Sequence, residues 1–157
     1  MSTIGANITA TYTSTTLLTS GAGWGLGDKW TSQDGKVYKF VKYDTGAGSV
    51  AAVAGQVAYY YAAGGYNDHV VTSDLSDSVN VGAGVLQSAP GDGEYCWIQI
   101  RGPATLSIAL TAGADGNALP PVGSTDGTLD VSAAVTDHIC AIADDISEKE
   151  IVCMFPD

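Results

Sequence analysis

Basic residues are scarce in this sequence: six Lys and Arg face 17 Asp and Glu, giving a formal net charge of -11. Such a field repels phosphates, which argues against nucleic acid as a partner. Histidine is limited to His69 and His138, each at the start of an apparent strand, and no G-x-S-x-G elbow occurs. The usual apparatus for activating a nucleophile is therefore missing. The three cysteines, Cys96, Cys140 and Cys153, sit inside apolar runs without a C-x-x-C pair. An odd number so placed reads as free buried thiols of a protein made in a reducing cytoplasm, and zinc would lack ligands. No run approaches the ~20 apolar residues that span a bilayer. The start, MSTIGANITATYTSTT, has neither a basic n-region nor a continuous apolar h-region. The expectation is a soluble product made in the cytosol, without a membrane partner. Aromatics make up only 8%, and much of the 45% hydrophobic fraction is Ala and Val. A thin core follows, of the kind that small β domains reinforce by oligomerising.

What the chain does have is glycine, 20 residues of it, punctuating short alternating segments. That is the pattern of many strands joined by turns. KVYKFVKY (36–43) follows the turn signal Gln33-Asp34-Gly35 and is partly apolar on both faces, which predicts a strand covered on both sides. EYCWIQIR (94–101) sets Cys96, Ile98 and Ile100 against Tyr95, Trp97, Gln99 and Arg101, and ATLSIAL (104–110) alternates likewise. Gly102-Pro103 between them predicts a hairpin turn. HICAIA (138–143) and EIVCMF (150–155) predict a second hairpin, with Ile151, Cys153 and Phe155 on one face. Shorter strands are predicted at 57–62, 69–73, 83–87 and 128–131, with a short helical turn or loop at 49–54. The sum is an all-β chain, a small β-sandwich or β-barrel over residues 28–157. Residues 1–27 carry no charge and little Val or Ile. They read as an extended N-terminal arm that orders against a neighbouring subunit, or as an edge strand and loop.

Chemistry-bearing patterns are weak. Gly46-Ala47-Gly48-Ser49-Val50-Ala51 fits a loose G-x-G-x-x-A, with Asp68 at the distance of a ribose-binding acid. No strand–helix alternation follows to build a nucleotide fold around it. Most Asp lie in turns such as Gly91-Asp92-Gly93, where the side chain bonds its own backbone. Asp115, Asn117, Asp126 and Asp130 could converge on calcium only if their loops met, and no EF-hand pattern links them. Neither a metal, a cofactor nor a catalytic residue is assigned. Lys29, Lys36, Lys39 and Lys42 fall in one stretch, readable as ordinary strand charges or as a basic strip facing an acidic partner. Tyr59, Tyr60 and Tyr61, with Tyr66, Trp24 and Trp30, invite either glycan stacking or a subunit interface.

The stretches 34–43, 54–61 and 70–102, closing with CAIADDISEKEIVCMFP (140–156), resemble small tailed-bacteriophage proteins that decorate the head. The pattern is a G-V, short loop, G-x-Y-x-W-[I/V]-Q-x-x-G segment, carried by Gly84, Val85, Gly93, Tyr95, Trp97, Ile98, Gln99 and Gly102. A later A-[I/L]-A-x-D and V-x-[M/V] pair is carried by Ala141, Ile142, Ala143, Asp145, Val152 and Met154. The resemblance implies a β-barrel or β-tulip domain that oligomerises, often as a trimer, on the capsid outer surface of the virion. Its partners would be the major capsid protein and further copies of itself. Trp24, Trp30, Lys36, Lys39, Lys42, Tyr59, Tyr61 and Tyr66 are the expected interface residues. A tail or fibre-tip domain and a carbohydrate-binding module are the alternatives, with an enzyme behind both.

Overall fold

A computed structural model describes residues 5–19 and 23–157. Its order is α1 (Ser14–Thr19), β1 (Lys29–Thr31), β2 (Val37–Tyr43), β3 (Val57–Tyr61), α2 (Gly65–Asp68), β4 (Val70–Thr72), a 3-10 turn (Leu75–Asp77), β5 (Ser78–Leu86), β6 (Tyr95–Thr105), β7 (Ala118–Leu119), β8 (Ala141–Asp145) and β9 (Glu150–Met154). The chain is all-β, and five strands close on themselves in the order β2-β4-β3-β5-β6, with β6 returning to β2. Among the described residues, only the β2–β4 pair is parallel. Closure removes the free edges that a small open sheet would leave to pair with other chains.

Strand alternation fills the barrel. Val41 and Tyr43 of β2 meet Cys96, Ile98 and Ile100 of β6 in the main core, joined by Val57, Tyr59 and Phe155. Burying a side chain the size of Ile98 or Phe155 contributes about 1.5–3 kcal/mol. The opposite faces of the same two strands put Tyr38, Phe40 and Trp97 outside the barrel, where they form a second buried cluster. β2 is thus apolar on both faces because it is covered on both, as its sequence predicts.

The cover is the chain's own N-terminal segment. Ile8, Tyr12, Leu17 and Trp24 pack over Phe40 and Trp97. Tyr12 and Tyr95 exchange backbone hydrogen bonds of 2.9 and 2.7 Å, and the Trp24 ring meets Trp97 edge-on at 4.8 Å. In the isolated chain, the described part of residues 1–27 therefore lies on its own barrel. The aromatic outer face of β2 and β6 is the apolar surface that this segment, too poor in Val and Ile to form a core alone, has available.

The expected turn at Gly102-Pro103 is absent. β6 runs on through both residues, pairing with β2 as far as Arg101 and with β9 from Arg101 to Thr105. Gly102, at φ 94°, takes the bend where the strand leaves the barrel. Proline is tolerated because β2 ends at Val37, opposite Arg101, so Pro103 faces an uncovered edge and its missing N–H deprives no partner. The Gln99 amide bonds the Arg101 and Pro103 carbonyls along that edge at 3.1 and 2.9 Å. Residues 106–110, expected as the return strand, form a connection stitched to the Lys149 and Gly55 carbonyls through Leu106 and Ser107. Residues 128–131 form no strand either, although Thr128 and Leu129 are buried. The second expected hairpin, β8–β9, is present. With β7 it extends β6 into a wing in the order β6-β9-β8-β7.

Candidate functional site: the outer face of the wing

The eight expected interface residues do not share one surface. Trp24 is half-buried on Trp97, and Trp30 stacks on Tyr38 at 5.9 Å. Tyr59 is wholly buried, its hydroxyl donating to the Thr128 carbonyl, so the isolated chain does not present it to a partner. Tyr61 is half-buried, and Tyr66 is 49% exposed with its ring edge-on to Tyr60 at 4.7 Å.

The lysines part in the same way. Lys39 shares the inward face of β2 with Val41 and Tyr43 and is 2% exposed, whereas Lys42 shares the outward face with Tyr38 and Phe40. Alternation along one strand splits the stretch, so there is no continuous basic strip that includes Lys39. The Lys39 ammonium donates to the Tyr60 hydroxyl at 2.7 Å, and burial, reinforced by Lys29, pushes its pKa down. Lys36 lies 4.0 Å from Asp34 at the surface.

The weaker sequence patterns dissolve into backbone satisfaction. In the Gly46–Ala51 loop, the amides of Gly46, Ala47 and Gly48 donate to Asp44, Asp77 and Asp74. Carboxylates already fill the place a phosphate would take, and they repel one. Asp115, Asn117, Asp126 and Asp130 each accept a backbone N–H, from Ile146, Ala114, Leu75 and Val131. Among the described residues, no group of three or more His, Cys, Asp or Glu could hold a metal ion. All three cysteines are free and buried, and desolvation pushes the Cys96 and Cys153 thiols up to about 12.

The structure brings together a set the sequence reading passed over. In the wing, Pro103, Val152, Ile142 and Ala118 lie in one register row across β6, β9, β8 and β7. Ile142 and Val152 are each 37% exposed, and Met154, two residues along β9 on the same face, is 38% exposed. Beside Met154 opens a shallow depression of about 510 Å³, lined by Tyr66, Val81, Ile139, Met154 and Pro156, with Asp137 and His138 also at its wall. An apolar row on the solvent face of a sheet, running up to a hollow of mixed polar and apolar lining, makes a candidate contact surface. A signal was there in EIVCMF, whose alternate positions are apolar on both faces, Ile151, Cys153 and Phe155 inward and Val152 and Met154 outward.

Compared with protein-family models, with curated proteins and with solved structures, the chain finds no match.

Proposed function

We propose that the chain is a virion structural protein that decorates the capsid of a tailed bacteriophage, stabilising it by bridging major capsid protein subunits as a homo-oligomer, with a trimer favoured. The observation that carries this reading is the apolar outer face of the wing, held on a strand that is also a stave of the barrel. A surface so built is suited to adhesion: its exposed apolar row is fixed in orientation by the core beneath it. The head-protein pattern in the sequence points the same way, since all its residues but Gly93 fall on β5, β6, β8 and β9, strands of the barrel and the wing. Glycan stacking has less support, because Tyr59 is inside and Trp24 is packed on Trp97.

The test combines light scattering with binding to heads of the encoding phage assembled without this gene. A stable oligomer that coats such heads is the expected result. The variant carrying Ile142→Asp and Val152→Asp should remain folded, lose self-association and fail to coat heads. A strict monomer that ignores the heads would overturn the reading.

A further inference from the structure

One edge of β2 is shared by two unrelated segments, and His69 sits where they part. β1 covers Val37–Lys39; beyond it, the Gly27 amide donates to the Phe40 carbonyl and the Phe40 amide to the Asp28 carbonyl, each at 2.8 Å. From Lys42 onward the edge belongs to β4, and the Lys42 amide donates to the His69 carbonyl at 3.0 Å. His69 turns this corner in the left-handed region, at φ 56°. Its imidazole lies so close to Gly27 that a Cβ there would fall 2.6 Å from Nε2 and 2.8 Å from Cε1. Nδ1 is buried and has no hydrogen-bond partner.

We propose that His69 is an acid-sensitive wedge: its neutral ring seats residues 23–28 on β2, and its protonation loosens that segment and lifts Trp24 from Trp97. A neutral ring can leave Nδ1 as a bare acceptor, whereas the imidazolium has a donor there with nothing to receive it. The charged groups around the ring are unfavourable to a cation. Lys39 on β2 and Lys29 on β1 oppose it, and only Asp68, at the end of α2, favours it. On the seated segment, the Asp28 carboxylate is turned to the Gly25 amide at 2.8 Å. Burial is the largest effect and, with the lysines, holds the imidazole below its ordinary value of 6.5. The sign follows: the seated state is favoured in full above 6.5 and weakens as pH falls through the seated-state value. Residues 23–28 are a suitable element to release, since their backbone bonds to β2 are few.

Hydrogen exchange on the full chain, corrected for intrinsic rates, tests this between about pH 7.5 and about pH 5. The Gly27 and Phe40 amides should lose protection on acidification, by up to about tenfold per pH unit between 6.5 and the seated-state value. His69→Asn, which tolerates the left-handed backbone, should abolish the pH dependence, whereas His138→Gln should keep it. An NMR titration of the His69 ring in the unaltered chain gives a second reading: its midpoint should lie below 6.5 and mark the pH at which the loss of protection levels off. Protection that is unchanged by acid, that falls equally in His69→Asn, or that goes on falling below the ring's midpoint would overturn the proposal.

Discussion

Removing Lys39 and Tyr60 together should be far less harmful than the two single losses imply. The ammonium and the hydroxyl lie 2.7 Å apart, with the lysine 2% and the tyrosine 0% exposed. The same ammonium stands 5.2 Å from the centre of the Tyr60 ring. No ion pair among the described residues includes Lys39, so the hydroxyl is its main polar partner. Lys39→Met leaves a buried hydroxyl without its donor, a cost of about 1–3 kcal/mol. That cost is reduced because an ammonium need no longer be desolvated. Tyr60→Phe strands the ammonium and should cost about 2–3 kcal/mol. Replacing both partners with apolar groups of similar shape is nearly neutral, so a double-mutant cycle should show a coupling of about 2 kcal/mol. Urea denaturation of the four proteins at neutral pH measures it. Single losses that add to within about 0.5 kcal/mol would refute the pairing. A pH signature accompanies the coupling. The folded-state pKa of Lys39 lies below 10.5, so the protonated form favours unfolding. Its contribution to stability is complete above 10.5 and is lost as pH falls through the folded value; Lys39→Met should flatten that slope.

Gly82→Val should lower the melting temperature sharply, because even a Cβ at Gly82 would fall 2.7 Å from Cys140 Sγ and 2.9 Å from Phe155, with overpacking costing about 1–3 kcal/mol or more. Trp24→Ala should cost about 1–2 kcal/mol by removing the edge contact on Trp97, and a calorimetric scan checks it. A chromogenic disulfide reagent should label none of the thiols quickly in the native protein and all three after unfolding, since each is buried and the thiolates of Cys96 and Cys153 are suppressed. Rapid native labelling would contradict that packing.

How far the sequence could be read depended on whether one side chain's fate was decided locally. The two covers on β2 were legible because KVYKFVKY is apolar at both phases of its alternation. The β8–β9 hairpin was legible because a polar connection separates two apolar runs. Gly102-Pro103 misled because the rule that proline ends a strand assumes a partner on both edges, and β2 stops opposite Arg101, two positions before the proline. Lys39 misled because nothing in the sequence places the Tyr60 hydroxyl beside it, across 21 residues of chain. Tyr59 and Tyr60 break simple alternation: bulges in the β3–β5 pairing flank Tyr59, and both rings are buried. The wing's row of Pro103, Val152, Ile142 and Ala118 required knowing which strands neighbour which, and strand order is not written in periodicity.

The continuity of β6 has a mechanical consequence. Six residue pairs tie it to β2 and five tie it to β9, on opposite edges of one unbroken backbone. A pull on the wing along the strand axis loads both sets of hydrogen bonds in shear, so they must fail together, whereas a hinge between wing and barrel would let them unzip singly. Tension entering through Val152 and Ile142 is thereby delivered to the closed barrel as a whole.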